Sequence, residues 1–339
     1  MRSLGSIFVI ALILLLTGLF YWALFMPKEE ITQRIYQTLK EQEKRADLTF
    51  KRVTFEEISG GNKYWQLIAS SAMVNKDQGV ATLKTVEGTF YKNGRPSLKF
   101  RSPVAMWDMK KKEIYLDKPF GYDISIEKKA LALFRSLKNN PLSLFNLPQI
   151  YQQQPGYWFQ AKNLSWKLAD QLLVCSGGIV LNKGEVTGYA EKLSGDVALE
   201  KVALEGKPYL VIKPEKSFPI TVEAEAFEVI SSQDTFLAKG NTRLLWDTAV
   251  VTASEAKYLQ ASQEITLNND VKLNYNDIHA AGASANYFTL NQQVVLSGSA
   301  WAQQGNNRLN GDKVMVMLRE KKIQLLGKSR VVITEEELK

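Results

Sequence analysis

ITLNNDVKLNY at residues 265–275 and VVLSGSAWAQQ at residues 294–304 are two instances of one pattern that returns every 29 residues. Phe236, Ile265, Val294 and Ile323 stand at that interval, and so do Ala238, Leu267, Leu296 and Leu325. Two residues on, the register reads Gly240, Asn269, Gly298 and Gly327. An earlier track in each unit holds Phe227, Ala256, Ala285 and Val314, each followed two residues later by Val229, Tyr258, Tyr287 and Val316. Apolar residues spaced by two are strand periodicity, so each unit reads as a pair of strands. A unit of that size cannot bury its own apolar face, and stacking on its neighbours supplies the missing surface. Nothing helical separates the strands, and the marks of leucine-rich or propeller repeats are absent. The predicted fold is therefore all-β: an antiparallel, jelly-roll-like array of two facing sheets, open along one side.

Working outward, Gly177 and Gly206 are again 29 apart, so the repeat begins before the region where it is plainest. The first half is also β: runs at 49–57, 64–69, 80–83, 89–91, 98–100 and 114–116 are separated by turn residues Gly60, Gly61 and Asn62, then Asn75 to Gly79, then Asn93 and Gly94. Between Ile126 and Pro155 the alternation breaks, and Glu127 to Leu137 has the spacing of a short amphipathic helix whose cations Lys128, Lys129 and Arg135, with Lys138 just beyond, read first as a solvated face and second as a contact for anionic lipid. Strands resume at Tyr157 to Ala161.

Gly5 to Met26 is apolar and uncharged over 22 residues, long enough to cross a bilayer core of about 30 Å. A cleaved signal peptide would need small residues at its exit, and the exit here, Trp22 to Pro27, is bulky. The reading is a retained single span with a cytoplasmic N-terminus and an exported bulk. Ile31 to Ala46 follows as a short helical or flexible stalk, with Ile31, Ile35 and Leu39 at helical spacing. The domain reading is anchor 1–27, stalk 28–47, a first β domain 48–125, connector 126–155 and a β-repeat domain 156–334.

The 339 residues are 45% hydrophobic and 23% charged, enough for substantial cores, and the net charge is +8. The basic residues are scattered and no nucleic-acid-binding motif accompanies them, so nucleic acid is not a partner on this reading. The single cysteine, Cys175, lies in an apolar run and reads as a small buried strand residue. His279 is the only histidine, and no Cys or second His stands near it, so neither a metal site nor a cofactor is expected.

The order of elements resembles the LptC family, the membrane-anchored periplasmic component of lipopolysaccharide export. The residues that carry the resemblance are the span, the stalk, Tyr64 to Ala69 leading to Gly79 to Leu83, then Phe90 to Gly94, Leu98 to Phe100, and Ile114, Tyr115, Leu116 and Asp117. Asp117 stands where glycine is common in the family. The C-terminal units resemble the repeats of LptA and OstA-type domains. The resemblance implies an inner-membrane, single-pass protein with its bulk in the periplasm, passing lipopolysaccharide along an apolar trough. Implied partners are the inner-membrane lipopolysaccharide ABC transporter and an LptA-like bridge or an outer-membrane OstA/LptD-like protein. On that reading the trough is lined by Leu67, Phe90, Phe100, Ile114, Leu116, Phe236, Ile265, Leu267, Val271, Val294, Leu296, Ile323 and Leu325. Val331, Val332 and Ile333 form a partner-docking edge. Nine units each adding one strand to each sheet would give a trough of about 40–45 Å.

Two other classes stand beside this one. A carbohydrate-active β-solenoid would align carboxylates at one phase, yet Asp270 has Asn241 and Ser299 at its repeat positions. No nucleophile elbow or glycine-rich phosphate loop is present either, so no enzyme is expected. A membrane-tethered structural or adhesion array without lipid cargo would use Ile265, Leu267, Val271 and Leu273 to fill a closed, dry core.

Overall fold

The computed structural model describes residues 31–128, 130–132, 135, 156–214 and 218–332. The span 5–26, most of the connector and Ile333 lie outside the described residues; among those described, no helix is long and apolar enough to cross a membrane. The described residues start with helix α1 (Ile31–Arg45). Then come β1 (Leu48–Ser59), β2 (Asn62–Asn75), β3 (Val80–Lys92), β4 (Arg95–Asp108), β5 (Glu113–Asp117) and β6 (Phe120–Asp123). After the connector follow β7 (Tyr157–Gln160), β8 (Asn163–Lys167), β9 (Leu172–Lys183), β10 (Val186–Asp196), β11 (Lys201–Glu205), β12 (Tyr209–Ile212), β13 (Ile220–Glu223) and β14 (Ala226–Ile230). The last seven are β15 (Thr235–Trp246), β16 (Ala249–Leu259), β17 (Glu264–Tyr275), β18 (Ile278–Phe288), β19 (Gln293–Gln304), β20 (Asn307–Met317) and β21 (Lys322–Val332).

Each 29-residue unit is thus a hairpin of two long strands, as the periodicity predicts. All pairings are antiparallel and join into one hydrogen-bonded sheet. At four places a long strand is broken in two: β5 with β6, β7 with β8, β11 with β12, and β13 with β14. Counting each broken pair as one position leaves seventeen in a row. At the usual inter-strand spacing they span about 75 Å, well beyond the length expected from sequence. The sequence estimate took a hairpin as one strand per sheet, whereas each long strand belongs to both halves.

The reason lies in the middle of the strands. Gly240 and Asn241, Asn269 and Asp270, Gly298 and Ser299, and Gly327 all adopt the left-handed conformation, with φ between 41° and 87°. The ladder shifts register at these points, for instance between Asn268 and Val271 and between Ser297 and Ala300. A bulge of this kind bends a strand sharply. Repeated every second strand, the bends form a spine along which the sheet folds onto itself. Half A ends in the turns 260–263, 289–292 and 318–321; half B ends in the two-residue turns 247–248, 276–277 and 305–306. The sequence reading divided β3 into runs 80–83 and 89–91 for the same cause: Thr85 is left-handed, at φ 49°, where β3 crosses from one half to the other.

The apolar faces of both halves meet in one core cluster that extends without a break from Trp65 to Leu318. Close packing needs a bare backbone in places. A Cβ on Gly88 would overlap the Phe100 ring, which lies flat against that strand.

Two helical segments cover outer faces. α1 seats the fully buried Ile35 against Val104, Met106 and Tyr115 on the outside of half A. Asp117, with no exposed surface, accepts hydrogen bonds from Thr32 Oγ1 at 3.3 Å and Tyr36 OH at 3.2 Å. Thr32 Oγ1 also donates to Asn163 Oδ1 at 2.6 Å. The stalk is therefore a docked helix. On half B, residues 127–128, 130–132 and 135 are helical, and Ile126 and Ala130 bury against Phe120, Tyr122 and Trp158.

Two outcomes test this account. Gly298→Ala forces a Cβ into a left-handed position 2.8 Å from the Cβ of Ala283, and should lower unfolding stability by about 1–3 kcal/mol in urea titration. Asn269→Gly should stay within about 0.5 kcal/mol of wild type. Asp117→Ala should loosen α1 by about 1–3 kcal/mol, seen as faster amide exchange across the helix with exchange in β4 and β5 unchanged.

Candidate functional site

Strand alternation turns eleven of the expected trough positions inward: Leu67, Phe90, Phe100, Ile114, Leu116, Phe236, Ile265, Leu267, Val271, Val294 and Leu296 are buried in the common core. Ile323 and Leu325 lie on the terminal strand β21 and are half-buried against it. Their exposure follows from position, because among the described residues β21 pairs only with β20. Val331 and Val332 stand opposite Leu309 and Arg308 in that pairing, and Ile333 lies outside the described residues. The opposite free edge is β1, where Leu48 and Phe50 remain more than a third exposed.

Around the expected Phe90 and Phe100 the interior holds further aromatic residues, Trp65, Trp107, Trp166, Trp246 and Tyr287, that sequence reasoning did not place there. Trp65 and Trp107 meet edge-on with ring centroids 5.0 Å apart, Phe90 packs on Phe100 at 4.9 Å, and Trp166 sits 5.6 Å from Phe90 and 6.3 Å from Tyr64. Further along, Trp246 of half B stacks on Tyr287 of half A at 4.5 Å. Apart from Phe90 with Phe100, which are neighbours on adjacent strands of half B, these pairs cross between halves, so no spacing within one strand marks them. The available signal was strand parity: Trp107 lies two residues after the inward Ala105.

The rims of the two halves touch at several points, where an open side was expected. Lys92, at the end of β3, reaches Asp196 Oδ2 at 2.6 Å and Glu200 Oε2 at 2.8 Å on the opposite rim. Burial works against the Lys92 ammonium, but the two carboxylates outweigh it and hold its pKa above the ordinary lysine value. Between those acids the chain folds inward, burying Val197 and Leu199 in the core. Lys112 meets Glu57 at 3.3 Å, and Lys183 meets Asp234 at 2.8 Å and the carbonyl of Ser231 at 2.8 Å. Tyr258 donates to Glu185; burial first, and that carboxylate second, push its phenol far up. Each contact joins rim positions a few strands apart along the array. The twist of a long sheet shifts one half past the other and brings the rims together.

Chemistry-bearing groups are otherwise quiet. Cys175 is fully buried, and burial pushes its thiol up, away from reactive thiolate. His279 is exposed and bonded through Nδ1 to Asn274 Oδ1 at 2.8 Å. Asn241, Asp270 and Ser299 sit in left-handed bend positions on the spine, which accounts for small polar residues at that phase. Among the described residues no cluster of His, Cys, Asp or Glu could hold a metal ion.

Comparison with known proteins places this geometry. Residues 10–119 match the family model described as lipopolysaccharide-assembly, LptC-related. Residues 221–322 match the model for the LptA/(LptD N-terminal domain) lipopolysaccharide transport protein. Among solved structures, the chain is similar to LptH, the LptA-homologous periplasmic component of the lipopolysaccharide transport device of Pseudomonas aeruginosa. The identity is 13%, the TM-score 0.31, and the match covers 36% of this chain and 86% of that one. A comparison with curated proteins gave no match. Both family descriptions are of transport or assembly, and neither is of an enzyme. The chain thus joins an LptC-related segment at its start to an LptA/LptD-N-terminal-type segment near its end.

Proposed function

We propose that the protein carries lipopolysaccharide through the periplasm, anchored in the inner membrane by residues 5–26, with its folded sheet serving as a trough for acyl chains. The observation that carries this reading is the single apolar interior that passes unbroken from the LptC-related segment into the LptA/LptD-like one. On this reading the β domain 48–125 and the repeat domain 156–334 are successive parts of one conduit, and the sugar and phosphate portion stays outside in water.

Energetics support loading through the rims. Burying an acyl chain of about twelve carbons gains about 10 kcal/mol at about 0.8 kcal/mol per methylene. The exposed rim pair of Lys92 with Glu200, whose side chain is 62% exposed, opposes that weakly, because exposed pairs contribute about 0–1 kcal/mol; the buried Lys183 holds its rim more firmly. A lipid can therefore part the halves locally and take the place of side chains such as Leu199. The β1 end, next to α1, faces the inner-membrane ABC transporter, and the β21 end offers its unpaired edge to an LptA-like bridge or OstA/LptD-like partner by strand addition.

A photocrosslinking residue at Leu267, Leu296 or Leu325 should give lipopolysaccharide adducts in cells, while one at the exposed His279 should not. Absence of adducts at all three inward positions, with adducts in a known bridge protein as control, would favour a tethered array without cargo. Val332→Pro should weaken capture of an LptA-like partner at least tenfold and leave amide-exchange protection of β1 to β19 unchanged; undiminished capture would exclude β21 as the docking edge.

A further inference from the structure

At one end of the core, among the described residues, two indole donors meet no acceptor. The Trp166 side chain is 1% exposed, and its indole N–H is buried with no hydrogen-bond partner. The buried Nε1 of Trp107 is likewise without one. Ile114 pairs directly with Trp107 on one side and with Trp166 on the other. Two orphan donors therefore stand two strand spacings apart, about 10 Å, in a single row on the inner face of half A. Tyr64, Trp65 and Phe90 of half B face that row.

A buried donor left unpaired is costly and calls for a reason. Depth narrows the choice of acceptor. Trp107 and Trp166 are the last inward residues before the rim, followed at once by Asp108 and Lys167, and the ion pair of Lys112 with Glu57 bridges the rims at this end of the array. The indoles thus lie where the dry interior gives way to the wet edge. In an amphiphile with its chains inside and its head outside, that level is occupied by the bonds joining chain to head.

We propose that Trp166 and Trp107 form a carbonyl-reading site: their indole N–H groups donate to the ester or amide carbonyls that link acyl chains to the headgroup. The site would select acylated lipids over chains of equal length that lack a carbonyl, and set how deep the chains enter. The inference rests on the trough reading above, and adds to it a ligand class and the residues that recognise it. Acyl carbonyls occur both in glycerophospholipids and in acylated glucosamine disaccharides, and both would be recognised.

The test uses the full chain held in an amphipathic polymer free of lipid. Binding is measured for diacyl phosphatidylethanolamine and for its dialkyl ether analogue, which differ only in the carbonyls. Wild type should favour the diacyl lipid by about two- to tenfold, the worth of one or two net hydrogen bonds. Replacing both Trp166 and Trp107 with 3-benzothienylalanine, a ring of the same shape without the N–H, should bring the two affinities together and leave ether-lipid binding unchanged, and replacing Trp166 alone should reduce the preference. As a second readout that needs no variant, the Trp166 indole proton resonance should move downfield with diacyl lipid and not with ether lipid. Running the same shift with a hexa-acylated glucosamine disaccharide shows which source engages the donors more strongly. An equal wild-type affinity for the two phosphatidylethanolamines, or a preference that survives the double isosteric replacement, would overturn the carbonyl-reading site while leaving the trough standing. Binding of neither lipid would overturn the trough and this inference with it.

Discussion

The structure depends on a bend in mid-strand. A flat strand of eleven to fourteen residues would expose one apolar face along its whole length. A left-handed residue pair at the centre, as at Gly298 and Ser299, folds the strand so that its two ends face each other. Stacked along the spine, these bends let one hydrogen-bonded sheet supply both walls of its own core. No second sheet has to be recruited, and among the described residues unpaired strand edges remain only at β1 and β21.

The core inherits its shape from that device. Each added strand lengthens both walls by one spacing, so the interior is a continuous channel of apolar side chains and not a series of separate cores. Sheet twist then shifts the walls relative to each other, and rim residues far apart in sequence, such as Lys92 and Asp196, become neighbours. The polar contacts that close the rims range from the exposed pair of Lys92 with Glu200 to the buried Lys183. At the aromatic end near Trp107, Ile114 and Trp166 the channel acquires polar donors as well as surface.

The outer faces serve attachment. Val104, Met106 and Tyr115 alternate with the inward Ala105, Ile114 and Leu116 on the same strands, so half A is apolar on both faces where α1 lies. The helix covers what would otherwise be an exposed patch. Asp117, at the place where glycine is common in LptC-type sequences, anchors it through Thr32 and Tyr36. The segment that follows the apolar span is thereby held rigidly to the first strands and cannot swing freely as a tether.

The sequence by itself determined the strand content, the hairpin-sized repeat and the inward parity of Leu67, Ile265 or Leu296. These follow from two-residue alternation and a fixed 29-residue interval, which are local quantities. It also marked the bend, through Gly240, Asn269, Gly298 and Gly327, without saying that the chain turns there, since glycine and asparagine serve hairpin turns and bulges alike. Only the tertiary structure decided that one strand belongs to both walls, that the rims touch, that α1 docks through Asp117, and that Trp107 and Trp166 bring two unpaired donors to one row. Each of these depends on which distant strands twist and fold onto one another, and contacts between residues as far apart as Thr32 and Asp117 or Lys92 and Asp196 leave no period in a single sequence.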